Sequence, residues 1–252
     1  MFRKPGRTTA ISKIATVVSA SKGPVGNTWT GTSTGLVMNL LNAPSSGISW
    51  TDVSGYGNNG TIIKTGTGSA TYTSAHNGGL ILGPSQITNM AMIATTYNLV
   101  VPFTVEVIVN LNPSAYWSSL WGNESYTASK GYLAYWSGSS LLSIGGSAAA
   151  NSYSISANTG NIRQIIVTVD ATPSLKLYIN GSLQTASQTL YANPGSTSTG
   201  LNFGSRHPNA GTSSTPMDAC VGTYYQMRVY NIALNQTQVT ANYNAVKSTY
   251  GI

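Results

Sequence analysis

The stretch Phe103–Leu111, FTVEVIVNL, alternates at every second residue. Phe103, Val105, Val107, Val109 and Leu111 share one side, and Thr104, Glu106, Ile108 and Asn110 share the other. A period of two sustained over such a run, rich in β-branched side chains, is the pattern of a strand with one face on a core. Comparable runs surround it. Ile162–Asp170 (IRQIIVTVD) and Leu175–Asn180 (LKLYIN) follow, and Tyr224–Tyr230 (YYQMRVY) alternates near the end. Asn180-Gly181 reads as a hairpin turn, because Asn and Gly tolerate the positive φ of a type I′ turn. Shorter runs at 36–41, 61–64, 79–83, 141–144 and 201–203 are separated by Gly, Asn, Ser and Pro loops. This punctuation implies an all-β, antiparallel two-sheet sandwich. One short helix is expected near the C-terminus. Asn235 caps it with Gln238 in the capping-box position, Leu234 and Val239 form a hydrophobic staple, and Val239, Tyr243 and Val246 make a narrow apolar face.

Composition narrows what such a sandwich can do. Only 7% of the 252 residues are charged, against about 25% in ordinary soluble domains. Apolar residues reach 41%, including 15 Tyr and 5 Trp, enough for a sizeable core. No run approaches the roughly 18 to 20 apolar residues of a membrane-spanning helix. One cysteine, Cys220, leaves no internal disulfide and reads as a small buried hydrophobe. The carboxylates are Asp52, Glu106, Glu124, Asp170 and Asp218, and no two lie within ten residues of each other.

The net charge of +7 is unevenly placed. Arg3, Lys4, Arg7, Lys13 and Lys22 fall in the first 22 residues with no acid among them, so the rest of the chain is nearly neutral. Residues 1–34 therefore read as a basic N-terminal arm, an attachment segment for an acidic partner surface, and 35–252 as the sandwich domain. The Ile14–Ala20 stretch is short and diluted by Ala, Thr and Ser, so it is not read as a signal peptide.

Four stretches, in order, resemble the laminin-G-like branch of the concanavalin A-like lectin/glucanase superfamily. Leu36–Ala43 followed by Trp50–Thr61 (WTDVSGYGNNGT) is similar to its opening strand and W-x-D-x-S-G-x-G-N-x-G loop. Phe103–Val107 is similar to its "sfTvevWv" strand, with Ile108 where an aromatic is common. Ile165–Gly181 (IIVTVDATPSLKLYING) resembles its "lklYvNG" hairpin, and Met227–Gly251 (MRVYNIALNQTQVTANYNAVKSTYG) its "NYna.k" ending. The resemblance implies a jelly roll of two curved antiparallel sheets with one short C-terminal helix. The spacing of the Trp50–Thr61 loop and the N-Y-N-A-x-K ending look most like modules of bacteriophage and other viral virion proteins. Fold alone assigns no function, since lectins, hydrolases, adhesion modules and structural proteins share it.

Candidate sites are few. Glucanases of this superfamily carry E-x-D-x-x-E on one strand, but Glu106 is followed by Ile108 and Val109, so the carboxylate pair of glycoside hydrolysis is missing from that strand. His76, His207 and many Ser residues leave a triad conceivable, without a nucleophile elbow. No cofactor is expected. Calcium has one weak candidate in Asp52, whose alternative role is bonding the backbone amides of its own turn. For sugars, residues 116–136 concentrate Trp117, Trp121, Tyr126, Tyr135 and Trp136 as glycan or interface aromatics, with one set of alternating side chains reserved for the core. The Arg206–Asn209 loop is a weaker polar candidate. The sequons at Asn59, Asn123, Asn180 and Asn235 are read as turn and cap chemistry.

The first functional expectation is a non-enzymatic virion component, a capsid decoration, cement or fibre-associated protein of a phage. It would be made in the host cytoplasm without a signal peptide and displayed on the particle. Its partners would be capsid or other virion proteins and copies of itself, with no specific nucleic acid and no membrane. The alternative is a carbohydrate-binding adhesion module for host or matrix glycans, and glycoside hydrolase ranks third.

Overall fold

The computed structural model describes residues 29–83, 90–112, 118–124, 130–137, 140–146, 149–156, 160–172, 174–189, 195, 200–206 and 219–252. In chain order the strands begin with β1 (Leu36–Leu40), β2 (Ser49–Trp50), β3 (Gly60–Thr65), β4 (Ser69–Thr73), β5 (Gly79–Gly83) and β6 (Met90–Ala94). Then come β7 (Phe103–Leu111), β8 (Ser118–Gly122), β9 (Leu133–Ser137), β10 (Leu141–Gly146), β11 (Ala149–Ser154) and β12 (Arg163–Val169). The series closes with β13 (Leu175–Ile179), β14 (Ser182–Leu183), β15 (Gln188–Thr189), β16 (Asn202–Phe203), β17 (Gly222–Tyr230) and the helix α1 (Gln236–Tyr250).

Two antiparallel sheets result. The first runs β14-β13-β12-β7-β17-β5-β4, with β1 also paired to β17, and the second runs β15-β11-β10-β9-β8-β16-β6-β3-β2. The expected all-β sandwich with one C-terminal helix is therefore observed. β4, β6, β8 and β11 lie outside the runs read as strands: MAMIA, SSLWG and AANSYS lack β-branched alternation, and SATYT alternates Thr71 and Thr73 but buries no apolar face. They form because neighbours supply a ladder, which is tertiary context overriding weak propensity.

β7 sits at the centre of the first sheet, between β12 and β17. Its Phe103, Val105, Val107, Val109 and Leu111 enter the main core, where they meet Trp121, Trp136, Leu142 and Phe203 of the second sheet. Its other face is covered by α1. Ile108 packs with Tyr225, Val246 and Tyr250, while Ile166, Tyr178 and Tyr230 pack with Leu234 and Val239.

The helix begins as its sequence dictates. Asn235 Oδ1 accepts from the Gln238 backbone N–H at 3.0 Å, and the Asn235 N–H donates to Gln238 Oε1 at 2.9 Å. The buried stripe is Val239, Asn242, Val246 and Tyr250. It corrects the expected stripe at one position, because Tyr243 is only half-buried and Asn242 turns inward in its place. The reason is the carboxylate on the facing strand. Glu106 is fully buried and accepts from Arg228 Nη1 at 3.0 Å, Gln164 Nε2 at 2.9 Å and Asn242 Nδ2 at 2.8 Å. A buried charge needs such partners. Burial, followed by the Glu106 charge beside it, pushes the Tyr230 phenol well above its ordinary pKa.

The sandwich body reaches further toward the N-terminus than residue 35. Trp29 lies over the Arg228 guanidinium, 3.6 Å from ring centroid to Cζ, and the Thr32 N–H donates to Asn242 Oδ1 at 2.7 Å. Cys220 is buried, and burial pushes its thiol up to about 12, consistent with its reading as a small hydrophobe.

Candidate functional site

Among the described residues, the aromatics expected as glycan or interface contacts are buried. Trp121 and Trp136 have no exposure, Tyr132 has 2% and Tyr135 has 8%. Alternation along β9 sends Tyr132, Ala134 and Trp136 inward, and a bulge between Ser119 and Trp121 turns Trp121 the same way. Trp136 Nε1 donates to the Ile155 carbonyl at 3.0 Å, which satisfies it inside the fold. Trp121, Tyr135 and Trp136, named as glycan or interface aromatics, are thus buried within the domain. Trp117 and Tyr126 lie outside the described residues, as do Arg3, Lys4, Arg7, Lys13 and Lys22 of the arm.

Asp52 organises its own loop. Its Oδ1 accepts from the Asn39 and Ser54 amides at 2.8 and 2.9 Å, and its Oδ2 accepts from Ser54 Oγ and the Asn58 amide, both at 2.8 Å. Those four donors occupy the lone pairs that a cation would use. Asp170 Oδ1 likewise accepts from the Thr172 and Ser174 amides in a turn. Arg206 pairs with the buried Glu124 at 2.8 Å. His207 lies outside the described residues. The sequon asparagines serve the backbone. Asn59 Oδ1 accepts from the Asp52 amide, Asn123 Oδ1 from the Tyr132 amide and Asn180 Oδ1 from the Gln164 amide, and Asn235 is the helix cap.

A concave site does exist where the sequence did not point. Between α1 and the β4–β5 end of the first sheet lies a cleft of about 630 Å³. Its floor is the buried set Gln226, Arg228, Val246 and Tyr250, and its rim is the exposed set Asn42, Tyr72, Ser74, Asn77 and Thr249. The half-buried Trp29 closes one side. Tyr72 remains 38% exposed and rests against Gly78, where an added Cβ would lie 3.2 Å from the ring. Gly78 also has φ 104°, a backbone conformation that favours glycine there. Among the described residues, four non-glycine positions have left-handed φ, and three border this region: Asn42 at 54°, His76 at 52° and Asn77 at 68°. Unfavourable backbone of this kind concentrates at sites that hold ligands.

Next to the cleft, His76 stacks on Tyr250 with centroids 5.7 Å apart and meets Tyr225 edge-on at 5.4 Å. His76 Nδ1 lies 2.9 Å from the Thr249 carbonyl oxygen, tying the β4–β5 turn to the end of the helix. Beyond Tyr250 a second cleft of about 590 Å³ is lined by His76, Asn110, Asn161 and Asn180 among others. Among the described residues, no lining side chain of either cleft is Asp or Glu. The first cleft draws on five separate chain segments, and no local spacing could announce it.

Comparison with solved structures places this geometry on a known fold. The binding domain of botulinum neurotoxin DC in complex with SialylT has a TM-score of 0.62 at 13% identity, covering 85% of this chain and 52% of that one. The botulinum neurotoxin type G receptor binding domain gives 0.57 at 18% identity, covering 84% and 51%. The binding domain of Paraclostridial Mosquitocidal Protein 1 gives 0.61 at 13% identity, covering 84% and 52%. The chain therefore spans about half the length of these structures, and at such identities the likeness is one of fold. A comparison with curated proteins returns no match. The family model described as Concanavalin A-like lectin/glucanases superfamily matches residues 88–240, more than half of the sequence, and the chain belongs to that laminin-G-like family.

Proposed function

We propose that this domain is a non-enzymatic carbohydrate-binding module, with its ligand in the cleft between α1 and the β4–β5 turn. The observation that carries the proposal is the cleft's chemistry: exposed Tyr72 and half-buried Trp29 are surrounded by Asn42, Asn77, Gln226, Ser74 and Thr249. A sugar ring presents an apolar C–H face for an aromatic and a rim of hydroxyls that both donate and accept. Amide and hydroxyl side chains answer that rim in kind. The absence of Asp and Glu among the described lining residues argues against hydrolysis there, because the reaction needs a carboxylic acid at the scissile bond. Ganglioside and SialylT are named for the neurotoxin structures that share the fold, which supports a glycan-binding reading without identifying this ligand.

The virion role expected from the sequence is the second reading, favoured by the five cations in residues 1–22. A particle-displayed lectin-like domain satisfies both. Deleting residues 1–28, which spares Trp29, would then abolish incorporation into particles while leaving glycan binding intact.

The experiment for the leading proposal is a broad glycan array followed by calorimetry on the hits. Tyr72→Ala combined with Asn77→Ala should weaken binding by about tenfold or more, that is 1.4 kcal/mol or more, with thermal stability retained. An array without a single hit, or a double variant that binds as wild type, overturns it.

A further inference from the structure

We infer that the cleft selects an uncharged oligosaccharide and discriminates against glycans bearing carboxylate or sulfate. This rests on the carbohydrate-binding reading above and adds the chemical class of the ligand.

The argument is one of charge. Among the described residues lining the cleft, Arg228 alone carries a formal charge, and both of its terminal nitrogens are paired. Its side chain is 1% exposed, its Nη1 donates to Glu106 Oε1 at 3.0 Å, its Nη2 donates to Gln226 Oε1, and Trp29 covers its guanidinium. Glu106 has no second cation, since its remaining donors are the neutral Gln164, Asn242 and Tyr230. The one formal charge on the described floor is therefore backed by the buried Glu106 carboxylate. An anionic sugar entering the cleft would find the Arg228 guanidinium already engaged with Glu106 and covered by Trp29, while its own desolvation went uncompensated.

The neighbouring cations among the described residues do not alter this. Lys247 holds its ammonium 5.7 Å from the Tyr243 ring centroid and lines neither cleft. His76 stacks on Tyr250 and lines the second cleft, not the first. Burial also pushes the Tyr250 phenol up to about 12, so the floor gains no negative charge near neutral pH. What remains for a ligand is a set of neutral amides and hydroxyls with two aromatic faces. Such groups exchange donors and acceptors with hydroxyls, whereas a carboxylate or sulfate only accepts.

The test uses the full chain and matched pairs: neutral oligosaccharides of glucose, galactose, mannose and N-acetylglucosamine, each beside a counterpart carrying a uronate, sulfate or sialic acid. The neutral member should bind about tenfold tighter or more, and its affinity should change less than about twofold between about 50 and about 500 mM salt. Ser74→Lys places a cation on the exposed rim without touching the floor. It should improve binding of the acidic counterpart about fivefold or more at low salt. Equal or tighter binding of acidic glycans by the wild type, still lost in the Tyr72→Ala and Asn77→Ala double variant, would overturn the inference and leave the carbohydrate-binding reading intact. A Ser74→Lys variant with an unchanged ratio would also overturn it. Absence of binding to every member would overturn both.

Discussion

Asp170 and Asp52 show how this carboxylate-poor chain uses the acids it has. Both stabilise turns by accepting backbone amides, and that role was legible from Asp beside Thr-Pro or Ser-Gly in the sequence. The aromatic cluster at 116–136 was less legible, because alternation tells which side chains share a face but not which face is inside. Asp170 has a measurable consequence. The Ser174 amide foremost, then its other turn partners and Lys176, holds its carboxyl below the ordinary value. A depressed folded pKa contributes stability above the unfolded value of roughly 3.9 and loses it as pH falls through the folded one. Thermal unfolding of wild type and Asp170→Asn should therefore differ at neutral pH and converge once the pH lies below the folded value. A gap that stays constant across this range would show that the turn bonds do not depend on the charge.

The helix was the element most fully written into the local sequence, with cap, box and staple all at the expected residues. Its inward Asn242 was not, because only the folded sheet brings Glu106, Arg228 and Tyr230 beneath it. Two energies compete to hold the helix in place. Losing the cap in Asn235→Ala costs about 1 kcal/mol. Removing Arg228 leaves a buried Glu106 without its cation, so Arg228→Ala should cost about 3–5 kcal/mol. Urea unfolding should rank the two variants in that order. The reverse order would mean that capping, not the ion-pair network under α1, dominates docking.

Across the whole molecule, the sandwich architecture follows from many short alternating runs and from four family-like stretches in sequence. The cleft does not, since Trp29, Asn42, Tyr72, Asn77 and Gln226 converge only after β1, β4 and β17 pair and the helix docks. The edge of the domain shifts for the same reason: Trp29 and Thr32 contact Arg228 and Asn242. Truncation before residue 35 should therefore destabilise the domain more than truncation before residue 29, and equal melting temperatures would show those contacts to be idle. Chemical-shift mapping of an array-selected neutral oligosaccharide on the isotopically labelled protein places the ligand on the fold. The largest amide perturbations should fall at Asn42, Ser74, Asn77, Gln226 and Thr249. Perturbations gathered instead on β9 and β10, around Tyr135 and Ser143, would contradict the assignment of this cleft.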